Sequence, residues 1–141
     1  EKILLTGKNK IMTTFNGPEV IIEKYTNQEL FEKLSNLNNL KNILPEQIKN
    51  FRSEENTCSF QMEGISELKL SISKKIPYSQ ISLIALDSPI EFILECHISE
   101  KNGKSHAQLE VNAELNMITK MMVEKPIKDF INILSEKLKL I

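Results

Sequence analysis

The chain has no tryptophan, two tyrosines, four glycines, two cysteines and, among its basic residues, a single arginine, Arg52. Each shortage excludes something. Arginine is the planar fork that reads phosphates and base edges, and the net charge of −1 supplies no bulk field toward a polyanion. Nucleic acid is therefore not an expected partner. The glycines Gly7, Gly17, Gly64 and Gly103 are isolated, so no glycine-rich phosphate loop can be built. Cys58 and Cys96 lie far apart, each within an apolar strand pattern. Two buried thiols are expected rather than a disulfide, which points to the cytoplasm. With no basic neighbour to stabilise a thiolate, neither reads as a nucleophile. No apolar run reaches membrane-span length, and the opening EKILLTGKNK has no signal-peptide core.

What is present is ordinary for a globular domain: 40% apolar and 26% charged residues in 141 positions. That length predicts one domain with a substantial core. Residues 1–12 read as a flexible extension, or as a segment ahead of an alternative start at Met12; residues 13–141 read as the domain.

The longest periodic stretch is the last, from Ala113 to Ile141. Asn116 is a suitable N-cap. Ile118, Met121, Met122, Val123, Ile127, Phe130, Ile131, Leu134, Leu138 and Ile141 are read as one buried stripe. A helix here would span roughly 35 Å. Pro126 falls inside it, removes the bond to the Met122 carbonyl and predicts a kink. Met117, Met121 and Met122 crowd the half before the proline, and methionine suits changeable apolar contacts.

Earlier in the chain, residues 13–24 read as a strand interrupted by Gly17 and Pro18. Thr26 and Glu29 form a capping box, with Tyr25 and Leu30 as its staple; Leu30, Phe31, Leu34 and Leu37 are the buried side of the helix that follows. A second short helix carries Leu40, Ile43 and Leu44 and stops before Pro45. From Ile48 to Leu115 the period is two. Phe51 marks one strand, then Cys58, Phe60 and Met62, then Leu68, Leu70 and Ile72. Residues 80–87 are apolar on both sides, which predicts partial cover on the outside; Pro77 and Pro89 mark turns. Asn102-Gly103 is a two-residue hairpin signal. Centring the turn there pairs Ile98 with Ala107, Cys96 with Leu109, Leu94 with Val111, Phe92 with Ala113 and Ile90 with Leu115, all on one face. The opposite face then sets Glu95 against Glu110 and Glu91 against Glu114, which is unfavourable unless solvated or met by a cation. The same register makes His97 and His106 diagonal neighbours beside those acids. Imidazoles and carboxylates can bind zinc, but exposed strand histidines are usually solvated, and no metal site is assigned.

The expected class is α+β: a curved antiparallel sheet of six to seven strands, two short helices after the first strand, and a long C-terminal helix across the sheet. This order resembles the helix-grip fold of the START and Bet v 1-like superfamily, also called SRPBCC. At residue level the resemblance rests on KLSNLNNL (Lys33–Leu40), AELNM (Ala113–Met117) and MVEKP (Met122–Pro126), which are similar to segments of small uncharacterised bacterial members of Bacteroidetes type. Those members carry a proline where Met117 stands. The resemblance implies a cavity between strand face and helix. It implies no single function, because the superfamily includes lipid carriers, hormone receptors, polyketide cyclases, quinone-binding proteins and activators of a chaperone ATPase.

The residues expected to line that cavity are Phe60, Met62, Leu70, Phe92, Leu94, Leu109, Val111, Met117, Met121, Met122 and Phe130. No titratable side chain falls on the inward face of a registered strand, so no catalytic residue and no cofactor are assigned. The expected function is non-enzymatic binding of a lipid-like apolar molecule. The alternatives are a protein-interaction or chaperone-cofactor-like module with a closed core, homodimeric in one version, and a polyketide-cyclase-like enzyme, for which Tyr25 and Tyr78 are the available phenols.

Overall fold

The computed structural model describes residues 2–5, 10–62, 65–88 and 90–141. Strands β1 (Lys2–Leu5), β2 (Ile11–Asn16) and β3 (Val20–Ile22) lead into helix α1 (Asn27–Leu34) and a 3-10 helix, Leu37–Asn42. Strands β4 (Ile48–Ser53), β5 (Thr57–Met62), β6 (Ile65–Ile76), β7 (Gln80–Leu86), β8 (Glu91–Lys101) and β9 (Lys104–Leu115) follow. Helix α2 (Met117–Lys137) and a last 3-10 turn, Leu138–Leu140, complete the chain. The sheet is antiparallel in the order β1-β2-β9-β8-β7-β6-β5-β4, and β3 also pairs with β9. It curves, and α2 lies across its concave face.

Local chemistry accounts for the elements. In α1 the Glu29 amide donates to Thr26 Oγ1 at 3.2 Å, and the Thr26 amide donates to Glu29 Oε1 at 2.9 Å, a reciprocal cap. Leu30, Phe31 and Leu34 are its buried side. The second short helix is 3-10 rather than α; Asn36 caps it through the Asn38 amide at 3.0 Å, and Ile43 lies just past its end. The β8–β9 hairpin turns on Asn102 (φ 54°) and Gly103 (φ 76°), both in the left-handed region such a turn demands. Its register is the one read from the sequence, from Ile98 opposite Ala107 to Phe92 opposite Ala113. Ile90 lies just before β8.

Two expectations are corrected. The extension ahead of residue 13 contains strand: Lys2–Leu5 pairs with Thr14–Ile11, and Ile11 and Met12 belong to β2. Its backbone groups find an edge on β2, which propensity alone does not reveal. The interruption at Gly17-Pro18 splits one strand into β2 and β3. With β1, this takes the described sheet to nine strands. The cover expected outside β7 reaches only part of it: Ser82 is buried, while Ile84 and Leu86 are 36% and 37% exposed. Pro77 does sit in a turn, while Pro89 lies outside the described residues.

Gly17 sets how closely helix and sheet approach. A Cβ built there would stand 2.5 Å from Ile131 Cγ2 and 2.6 Å from Ser135 Oγ, both on α2. Only a residue without a side chain lets the helix settle here. The core between them holds Phe15, Leu94, Leu109, Val111, Ile127, Phe130, Ile131 and Leu134, all buried.

Candidate functional site

The sheet–helix seam contains one wholly apolar cavity. Phe60 and Met62 reach it from β5, Ile65, Leu68 and Leu70 from β6, Phe92 and Leu94 from β8, Val111 from β9, and Ile127 and Phe130 from α2; Ile90 closes the rim. Strand alternation puts these side chains on one face because their pairings run Phe60–Leu68, Cys58–Leu70 and Leu94–Val111. Phe130 of α2 stacks on Phe60 across the seam, with ring centroids 6.2 Å apart, and Phe51 also stacks with Phe60, at 6.4 Å. The cavity volume is about 30 Å³. That is room for a water or two by size. A pocket for a drug-sized molecule is about 300–1,000 Å³. The wall and roof must move for anything larger to enter.

Seven of the expected lining residues are brought together: Phe60, Met62, Leu70, Phe92, Leu94, Val111 and Phe130. Leu109 is buried but packs away from the void. Met117, Met121 and Met122 do not line it; they are 55%, 77% and 67% exposed, and Ile118 is 74% exposed. The helical phase explains the difference. The buried stripe of α2 begins at Val123 and runs through Ile127, Phe130, Ile131 and Leu134. Projected back one turn, it passes through Thr119 and Lys120. Ile118, Met121 and Met122 lie about 100–160° off it at 100° per residue. Ile65, Leu68, Ile90 and Ile127 were missing from the expected lining. Alternation and helical spacing carried the signal for Leu68, Ile90 and Ile127; Ile65 follows Glu63 and Gly64, which lie outside the described residues.

The ends of α2 differ. Its first turn is capped, since the Thr119 amide donates to Asn116 Oδ1 at 2.7 Å. Yet no side chain from Met117 to Met122 is buried. From Val123 onward the helix is anchored by its buried stripe, and the buried Ser135 turns its hydroxyl back onto the Ile131 carbonyl of the same helix at 2.6 Å.

Among the described residues, no side chain lining the cavity carries a titratable group. Tyr25 donates its hydroxyl to the Ile141 carbonyl at 3.0 Å, and Tyr78 is 46% exposed with its ring edge-on to Phe31, so neither phenol enters the seam. Burial pushes both thiols, Cys58 and Cys96, up to about 12. The register keeps His97 and His106 diagonal, but their acidic partners differ: His97 sits between Glu95 and Glu110, while His106 faces Glu19 at 3.7 Å.

No protein-family model and no curated protein matches this sequence. Solved structures do match in shape. Norcoclaurine synthase from Thalictrum flavum superposes with a TM-score of 0.70 at 9% identity, over 99% of this chain and 96% of that one. The fold is Bet v 1-like. A conserved protein from Geobacillus kaustophilus (TM-score 0.66, 12% identity, 91% and 93% covered) and a protein from Thermus thermophilus (0.66, 10%, 91% and 95%) share this helix-grip architecture. At such identities the likeness concerns the fold alone.

Proposed function

We propose that this helix-grip domain binds an apolar small molecule in the seam between sheet and α2, and does not transform it. The observation that carries the reading is the cavity lining, apolar at every described position from Phe60 to Phe130. The void of about 30 Å³ is the closed state. Entry requires the part of α2 that carries Ile127 and Phe130 to lift from the sheet, a movement little opposed by the first half of α2, which buries no side chain and meets it at a proline that cannot bond the Met122 carbonyl. Its exposed methionines then supply adaptable contacts. A synthase shares the fold, but acid–base work needs a titratable group within reach of the reacting atoms, and the described lining offers none. A lipid-like ligand, a cytoplasmic setting and kinship with small bacterial helix-grip proteins belong to the same reading.

The test is fluorescence titration with 1-anilinonaphthalene-8-sulfonate, alongside native mass spectrometry of gently purified protein. The wild-type chain should bind the probe saturably at about one per chain. Val111→Phe, which fills the void at a cost of about 1–3 kcal/mol in stability, should weaken binding about tenfold or more while circular dichroism is unchanged. Equal binding by a folded Val111→Phe variant, or no binding by wild type, rejects the proposal.

A second reading, an interaction module, draws on a different observation: Met117, Ile118, Met121 and Met122 are clustered and exposed. A homodimer through this surface would show in sedimentation at high concentration and be lost in Met121→Glu/Met122→Glu. A monomer at every concentration rejects that version.

A further inference from the structure

We infer that the convex face of the sheet, opposite the apolar seam, carries a site for a first-row divalent cation, formed by Glu95, His97 and Glu110. Alternation puts Glu95 and His97 on one face of β8, and the register sets Glu95 directly opposite Glu110 of β9. Two carboxylates in that relation repel. Among the described residues, the ion pairs made by Glu95 and Glu110 are with His97 alone, through its Nε2, at 3.7 Å to Glu95 Oε1 and 3.9 Å to Glu110 Oε2. These separations are too long for hydrogen bonds. One ligand atom from each residue lies within 4.8 Å of the others. Metal–ligand bonds of about 2.0–2.2 Å at tetrahedral angles place ligand atoms about 3.3–3.6 Å apart, so side-chain movements of about 1 Å or less would close the set.

The carboxylates are also held as ligands are held. Glu95 Oε2 accepts from Gln80 Nε2 at 2.8 Å and from Ser82 Oγ at 2.9 Å, which leaves Oε1 turned toward His97. Ser82 is buried, so this brace is fixed by the sheet. On the other side, Glu110 Oε2 accepts from Asn112 Nδ2 at 2.8 Å, and Asn112 Oδ1 accepts from Thr14 Oγ1 at 2.5 Å, which fixes the orientation of that amide. Outer hydrogen bonds of this kind orient metal ligands. The carboxylate side chains are 21% and 27% exposed and the imidazole 43%, so solvent can fill the remaining coordination position. One imidazole and two carboxylates suit zinc and its neighbours, and the charge of one such cation cancels both carboxylates.

Zinc chloride titrated into chelator-stripped full chain, against a competing chromophoric chelator, tests the inference. One ion per chain should bind, with a Kd below about 100 μM, a threshold below which mass action makes binding measurable. His97→Ala and Glu110→Gln should each weaken it about tenfold or more, while His106→Ala leaves it unchanged. The chain has two histidines, so imidazole NMR gives an independent readout: the His97 ring signals should move with one equivalent of zinc and those of His106 should not. Absence of saturable binding, equal loss on His106→Ala, or an unmoved His97 signal overturns the site. Circular dichroism of each variant separates loss of ligand from loss of fold.

Discussion

Cys58 and Cys96 show how burial decides chemistry at single residues. Both side chains are buried, and without a compensating charge their thiolates are disfavoured, which lifts both to about 12. In the unfolded chain a thiol titrates at about 8.5. Above that pH the unfolded state sheds protons that the folded state keeps, so unfolding is favoured as pH rises. Stability should therefore fall between about pH 9 and 12, by on the order of a few kcal/mol. A Cys58→Ala/Cys96→Ala variant should show a shallower fall in urea titrations over the same range. Iodoacetamide at pH 8 should leave both thiols unmodified in the native protein and modify both in urea; rapid native labelling would contradict their placement. That both cysteines are buried was legible from the sequence, because each alternates with large apolar neighbours. The methionines of α2 were not. Counting apolar residues in a window treats Met121 and Val123 alike, although they fall on nearly opposite sides of the helix.

At the scale of the element, α2 is two helices in one. From Val123 onward every turn has a buried residue, and Lys128 and Lys125 pair with Glu124 and Asp129 on the outside. From Met117 to Met122 nothing is buried. Segments with few buried contacts open first, and Pro126 removes one bond where the two parts join. Pro126→Ala would restore that bond. Amides from residue 120 to 125 should then exchange about tenfold more slowly by hydrogen–deuterium exchange mass spectrometry, and 1-anilinonaphthalene-8-sulfonate should bind more slowly. Unchanged exchange would mean that the proline is no joint. Capping at Asn116, the proline and the amphipathic stripe were all readable from the chain. The inward side of the first half was not, because it requires the phase set by Val123, Ile127 and Phe130 against the sheet.

Across the whole molecule, the sheet was the most readable part and the void the least. An Asn-Gly turn with one-sided alternation leaves β8 and β9 a single register, since a shift by one residue would turn Leu94, Cys96 and Val111 outward. A cavity volume is a small difference between large packed volumes, and no pattern of residue types encodes it. Lys2–Leu5 escaped for another reason: its partner is an edge of β2, and its own sequence is too short to show alternation. The closest contact between layers, at Gly17, also leaves only a weak trace, a glycine beside a proline. Gly17→Ala should push Ile131 and Ser135 away and cost about 1–3 kcal/mol, measured by urea unfolding; a neutral result would show that α2 can lift there freely.

Strand β9 bonds to β8 on one side and to both β2 and β3 on the other, with Thr13 opposite Ala113. On a ribosome, a growing chain can pair β2 with β1 at once, but the other edge of β2 and the whole of β3, with Val20 and Ile22, have no strand to join until the stretch ending at Leu115 has left the exit tunnel. Closing so long a loop is slow. During that delay the greasy amino-terminal strands wait in the open, where holding factors or neighbouring nascent chains can reach them before their own mate arrives.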